Sequence, residues 1–253
     1  MIEITIQIEE LISNNATDFE ISKVFKTYYK NYLDSIDTTV ETTGGKDFFI
    51  KHTKHTDKFL ILLYKYILRK NFASHQPMSS SIPISLVALG SYGREQLCIY
   101  SDIDIMLLYE NVKGYNLKNI MEEFITLAWD CGLKLGSRVH ELREISDAVK
   151  EDITIKSSIL ESRLIYGSKN LWFGYQNVLS KIRKTNQKEF VLDKLEEHKQ
   201  RLMKYPLKME PNIKDGYGGI RESNMMYWMA NILYGVTNTK DLIGTQFTED
   251  EYK

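Results

Sequence analysis

"LGSYGREQLCIYSDIDIMLLYE", residues 89–110, sets Asp102 and Asp104 one residue apart in an otherwise apolar run, shortly after a Gly-Ser pair. "ISLVALG" before it and "DIDIMLLY" within it read as short strands, and "SYGREQLC" between them suits one or two helical turns. Side chains alternate along a strand, so Asp102 and Asp104 share one face while Ile103 and Ile105 point to the other. Two carboxylates this close repel each other unless a cation sits between them. Mg²⁺ supplies that cation and prefers one or two carboxylates together with substrate phosphate oxygens, with Mn²⁺ as the alternative ion. Gly90 and Ser91 stand where the first strand gives way to the helical turn. Glycine lets the backbone approach a phosphate closely, the N–H groups of the turn favour an anion, and Ser91 adds a hydroxyl donor. The combination reads as a metal–nucleotide site. A bare Asp-x-Asp is more often a strand end capped by its own turn. Gly-Ser at a strand end, ten intervening residues and then Asp-Ile-Asp-Ile is a far more specific pattern.

Working outward, residues 9–35 and 46–72 read as two helices, the second with Phe59, Leu62, Leu63, Tyr66 and Ile67 at three- and four-residue spacing. "SHQPMSSSIP" (74–83) is a polar connector and the best boundary in the N-terminal half. Downstream, "NLKNIMEEFITLAWDCG" is an amphipathic helix ended by Gly132, and "LKLGSRVHEL" resembles a third strand. From about residue 144 helical patterns dominate, interrupted by "YPLKMEPNIKDGYGGIRE". The expected organisation is a helical region over 1–80, a core over 81–165 and a helical domain over 166–253. The last residues, "GTQFTEDEYK", break off in mid-pattern, which suggests a piece of something longer.

Composition narrows the class without choosing it. With 253 residues, 43% of them apolar and 26% charged, the chain has the makings of an ordinary globular protein. A formal net charge of -1 gives no global reason to expect a nucleic-acid partner. Two cysteines, Cys98 and Cys131, exclude a disulfide scaffold and a four-cysteine zinc site, and read as reduced cytosolic thiols. "MIEITIQIEE" lacks the layout of a signal peptide, and "FLILLYKYIL" (59–68) is too short to span a bilayer. A cytoplasmic location with no membrane partner is the expectation.

Apolar-Gly-(Gly/Ser), about ten residues and then Asp-apolar-Asp resembles the signature of the DNA polymerase β-like nucleotidyltransferases. More narrowly, "ALGSYGREQLCIYSDIDIMLL" is similar to the N-terminal catalytic portion of the bacterial uridylyltransferase family that modifies the nitrogen-regulatory PII protein. Three further stretches agree: "AWDCGLKLG" (128–136), "EDITIKSSILESRLIYG" (151–167), and "EPNIKDGYGGIRESNMMYWMANILYG" (210–235). The resemblance runs in order through residues 85–235; the first 80 residues carry no matching motif.

That resemblance implies an α+β polymerase β-like core, a short mixed sheet with helices, flanked by N-terminal helices and a C-terminal helical domain. It implies transfer of UMP from UTP to a tyrosine of PII with release of pyrophosphate, dependent on Mg²⁺ held by Asp102 and Asp104. Gly90 and Ser91 would hold the triphosphate, with Arg94 either neutralising a phosphate or serving as an ion-pair partner. Lys214, Gly218, Gly219 and Arg221, in the glycine-rich turn, would contact nucleotide or support the site from the helical domain. There the family has Asp after the Arg, and this chain has Glu222. Many relatives add a third carboxylate on a neighbouring strand. Glu141 is the nearest candidate and Asp152 the second, the latter better suited to capping the helix that follows, so the general base stays unassigned. Glu161 and Arg163 are expected to support packing rather than chemistry.

The family's full-length members also carry a His-Asp phosphohydrolase domain and glutamine-sensing domains. No His-Asp dipeptide occurs here, so transfer without removal is expected. His52 and His55 in "KHTKH" read as polar surface rather than metal ligands. The nearest rival is the family that adenylylates glutamine synthetase, whose Asp-apolar-Arg-apolar-Arg strand is replaced here by Ser137, Arg138, Val139, His140 and Glu141. A second rival is a nucleotide-binding regulatory module without catalysis, which the absence of a third carboxylate would favour.

Overall fold

The computed structural model describes residues 2–73, 77–78, 81–205, 210–236, 239–244 and 248–252; the connector expected at 74–83 falls partly outside them. The chain begins with helices α1 (Ile2–Ser13), α2 (Asp18–Asp34), α3 (Val40–Thr43) and α4 (Lys46–Phe72). Strand β1 (Ile84–Ala88), the single turn α5 (Gly90–Gly93) and strand β2 (Ile103–Tyr109) follow, then α6 (Leu117–Asp130) and β3 (Leu135–Glu141). Helices α7 (Ile145–Glu151) and α8 (Ile153–Leu160) precede strand β4 (Arg163–Gly167). Four further helices follow among the described residues: α9 (Lys169–Lys184), α10 (Gln187–Lys204), α11 (Ile220–Tyr234) and α12 (Glu249–Tyr252).

The four strands form one mixed sheet in the order β3-β2-β1-β4. β1 runs antiparallel to both neighbours, and β2 and β3 run parallel. This is the α+β nucleotidyltransferase-like core, a short mixed sheet flanked by helices. Ile103, Ile105 and Leu107 of β2 enter the same buried cluster as Phe25 of α2, Phe59 and Leu63 of α4, and Phe124 of α6. Each fully buried Leu or Phe there contributes about 2 kcal/mol by removing apolar surface from water. Because that face of β2 is committed to the helices, Asp104 is directed to the opposite side.

The chain divides into two compact units, residues 1–145 with 161–174, and 146–160 with 175–253. The first contains the sheet and the N-terminal helices, which share one core. In the second, Lys156 is buried, donates to the Thr185 carbonyl at 3.0 Å and lies over the Phe190 ring, and Arg183 donates to Asn231 at 3.0 Å. Among the described residues no helix is long and apolar enough to cross a membrane.

Several local expectations are corrected. The helix read over 9–35 is two helices, because Asn15 adopts a left-handed φ of 54° and Thr17 starts α2 with a capping box. The Thr17 amide donates to Glu20 Oε2 at 2.8 Å, and the Glu20 amide returns to Thr17 Oγ1 at 3.3 Å. The stretch 151–167 is a helix only as far as Leu160; "RLIYG" is strand β4. His52 is not surface: it is 2% exposed, accepts from or donates to the Tyr32 hydroxyl at 2.8 Å, and stacks with Phe48. Met225, Trp228 and Met229 of α11 are half-buried, whereas Met226, Leu233 and Tyr234 are exposed.

Candidate active site

The site grows from the junction of β1, α5 and β2. Asp102 and Asp104 are both exposed, and Ile103 and Ile105 between and after them are buried. The Leu89 amide donates to the Asp104 carbonyl at 2.9 Å, which ties the mouth of the turn to the carboxylate strand. Gly90 follows with a left-handed φ of 56°, and a Cβ there would stand 3.3 Å from Asp104 Oδ2. Ser91 is half-buried in the same turn.

The register of β2 with β3 pairs Asp104 with Gly136. A Cβ on Gly136 would lie 2.5 Å from Asp104 Oδ1, closer than real contacts allow. The Asp104 carboxylate thus rests in a cradle between two glycines from separate elements, and any side chain at Gly136 would displace it. Gly136 stands in the stretch that supports the family resemblance, but only the strand register reveals what it does.

The same register decides the third carboxylate on β3. Paired residues of neighbouring strands point to the same side, so Gly136, Arg138 and His140 share the face of Asp104. Glu141 lies on the other face, about 16 Å along the strand from Gly136 at the usual rise per residue. It is buried and held by Arg143, with Nε to Oε1 and Nη2 to Oε2 both at 2.9 Å. Asp152 caps α8, accepting from the Thr154 amide at 2.7 Å. His140 is half-buried, and burial together with the nearby Arg138 charge lowers its pKa. Among the described residues, no group of three or more His, Cys, Asp or Glu side chains is arranged to hold a metal.

Arg94, one residue beyond the turn, is ion-paired with Glu161, whose side chain is 2% exposed, and its Nε donates to Gln96 at 3.0 Å. Arg94 thus has an ion-pair partner in a buried carboxylate, not in the surface carboxylate that the alternative reading expected. Tyr92, inside the turn, is fully buried and donates to Asp57 Oδ1 at 2.6 Å. Burial, reinforced by the Asp57 charge, holds its hydroxyl well above the usual tyrosine range. Arg163 grips both Asp57 oxygens at 2.8 and 3.0 Å. Burial works against its charge, but those hydrogen bonds outweigh it and its pKa stays raised.

In the second unit the glycine-rich turn is closed on itself. Asn212 Oδ1 accepts from the amides of Lys214 and Asp215 at 3.0 and 2.8 Å. The Gly218 amide donates to Glu222 Oε2 at 2.9 Å, and Arg221 Nε meets Asp215 Oδ1 at 2.7 Å. Lys214 is exposed, Gly218 exposed and Gly219 buried.

A donor set of two exposed carboxylates beside a glycine turn, on a short mixed sheet, is that of a nucleotidyltransferase-type core. The sequence comparisons refine the class. Residues 189–253 match the family model described as GlnD PII-uridylyltransferase. The chain is 36% identical over 178 residues to the bifunctional uridylyltransferase/uridylyl-removing enzyme of Ectopseudomonas mendocina (strain ymp), covering 69% of this chain and 20% of that protein. The enzyme of the same description from Azotobacter vinelandii (strain DJ / ATCC BAA-1303) is 35% identical over 178 residues, again 69% and 20%. That of Pseudomonas fluorescens (strain SBW25) is 36% identical over 172 residues, 67% and 19%. The chain is a relative of the bifunctional uridylyltransferase/uridylyl-removing enzymes, and spans about a fifth of their length.

Proposed function

We propose that this chain transfers UMP from UTP to a tyrosine hydroxyl of the PII protein in the cytoplasm, releasing pyrophosphate, with Asp102 and Asp104 holding Mg²⁺ or Mn²⁺. The observation that carries the reading is the pair of exposed carboxylates at the start of β2, with Asp104 seated between Gly90 and Gly136. Two exposed carboxylates suit Mg²⁺, which completes its shell with water and phosphate oxygens. When bound, the ion stabilises charge on the transferring phosphoryl group and activates the attacking oxygen. The chain's own work is positional. Gly90 lets the triphosphate approach the backbone, and the Ser91 hydroxyl donates to a phosphate oxygen. Asp102 and Asp104 fix where negative charge on the nucleotide is tolerated.

A second reading is favoured by one specific observation: β3 offers Gly136, Arg138 and His140, not a carboxylate, on the face of Asp104. On that reading the chain binds Mg²⁺–nucleotide without transferring it. Label transfer separates the two. Purified chain, Mg²⁺ and α-labelled UTP are incubated with PII from the same organism, beside an Asp102→Asn/Asp104→Asn control. Label on PII that disappears in the control supports transfer. Mg²⁺–UTP binding without label on PII supports the regulatory reading, and absence of binding defeats both.

A further inference from the structure

Five polar side chains converge beneath the four-residue turn α5, from parts of the chain far apart in sequence. Asp57 comes from α4, Tyr92 and Arg94 from the turn and its exit, Glu161 and Arg163 from the entry to β4. On one side, Asp57 accepts from the Tyr92 hydroxyl at 2.6 Å and from the Arg163 fork at 2.8 and 3.0 Å. Arg163 also reaches the Tyr92 carbonyl at 3.4 Å and lies over the Tyr92 ring, 5.5 Å from its centroid. Tyr92 is thereby held at its hydroxyl, its ring face and its backbone. On the other side, Arg94 is ion-paired with the buried Glu161. Gly93 packs so tightly that a Cβ would fall 1.9 Å from the Glu161 carbonyl oxygen.

Burying this much charge is a poor route to stability, since a well-packed apolar replacement commonly does as well or better. What an Arg–carboxylate fork supplies that an apolar plug does not is a fixed direction. The group held in that fixed direction is the turn carrying Gly90 and Ser91, beside Asp104. We infer that Asp57, Arg163 and Glu161 are positioning residues for the Gly90–Ser91 turn. They touch no substrate and act through Tyr92 and Arg94 to hold the turn in register with Asp104. Arg94 is on this account a strut rather than a phosphate ligand. For its ligand the inference rests on the nucleotidyltransferase reading above.

The test uses the 253-residue chain with Asp57→Asn, which keeps the shape and removes the charge. It has two readouts: amide hydrogen exchange across 90–94 against β1 and β2, and the KM for nucleotide against the KM for the protein acceptor. Loss of a charge-assisted fork predicts exchange at 90–94 faster by about tenfold with β1 and β2 unchanged. It also predicts a nucleotide KM raised by about tenfold while the acceptor KM stays within about twofold. Arg163→Lys, which cannot reproduce the fork, should behave alike. Exchange that quickens equally in β1 and β2, or nowhere, overturns the inference, as does an equal change in both KM values. If the unaltered chain neither binds nor transfers UTP, exchange still decides: quickening confined to 90–94 upholds the struts and defeats only the nucleotide reading. Should Asp57→Asn fail to fold, Tyr92→Phe removes a single hydroxyl and carries the same outcomes.

Discussion

Two glycine-bearing turns precede charged residues in this chain, one in each compact unit, and they dispose of those charges in opposite ways. The turn at 90–93 leads to β2, where Asp104 stands exposed with Asp102 exposed just before the strand, and Gly90 and Gly136 make room for the Asp104 carboxylate. The turn at 212–222 engages its charges at home: Asn212 closes the backbone, Arg221 meets Asp215, and the Gly218 amide takes the carboxylate of Glu222. Three glycines in four residues do form an anion-friendly turn, and in this structure the chain itself supplies an anion. Glycine content therefore does not mark a ligand site. What differs between the two turns is exposure of the carboxylates, and the proposed function places the chemistry at the first.

The largest effect that would break this contrast is at the carboxylates. Asp104→Asn should reduce label transfer on the order of a thousandfold, since a metal-held transition-state charge is worth several kcal/mol, with circular dichroism unchanged. Transfer surviving within tenfold or so would remove Asp104 from the chemistry. Gly136→Ala tests the cradle itself. Its Cβ would meet the free end of a side chain, not backbone, so Asp104 can swing away at little cost in stability. Activity should fall by about tenfold to a hundredfold, because misplacement of about 1 Å is enough, while the thermal midpoint moves by only a few degrees. A loss of stability without a change in kcat would show that Gly136 is packing alone.

Acid should act on the first unit through a different pair. Burial, with the neighbouring His55 as a second cause, lowers the His52 pKa to about 4; burial, with Lys58, also lowers that of His55. Folded His52 stays neutral down to about pH 4, whereas the unfolded chain takes up protons below the ordinary value of 6.5. The His52 contribution is thus intact above pH 6.5 and is lost as pH falls from 6.5 towards 4, by about 3 kcal/mol at most, and His55 adds in the same direction. A His52→Phe variant whose midpoint falls as steeply as the unaltered chain over that window would exclude His52 as the cause.

What could be read from residues alone follows the range of the forces involved. Alternation through Ile103, Asp104 and Ile105 is a property of three neighbours, and in β2 Asp104 is exposed between the two buried isoleucines. The helix at 46–72 has the bounds its periodicity predicts. The break at 14–17 was equally local, written in "TDFE", but the apolar spacing continues across it and conceals the capping box. Strand β4 was missed for another reason. Arg163 is anchored by Asp57, 106 residues earlier, and such a partner cannot be seen from within "ESRLIYG". Gly136 belongs to the same class: its role depends on a strand register that sets it opposite Asp104. Burial of His52 likewise depends on α2 lying against α4.

The smallest effect is the one that sharpens the contrast most. Glu222 accepts from the Gly218 amide and lies 3.4 Å from His198 Nε2, so Glu222→Gln keeps the side chain's shape while weakening a charge-assisted bond at the start of α11. If the second turn is closed on itself, the loss is structural, about 1 kcal/mol in denaturant unfolding, and the KM for UTP stays where it was. If that turn instead contacts nucleotide, weakening the competing carboxylate frees the Gly218 amide for a phosphate. The KM for UTP would then change while stability falls by the same amount. Opposite results for Gly136→Ala and Glu222→Gln, activity lost without stability and stability lost without activity, are what two turns with such different treatment of charge require.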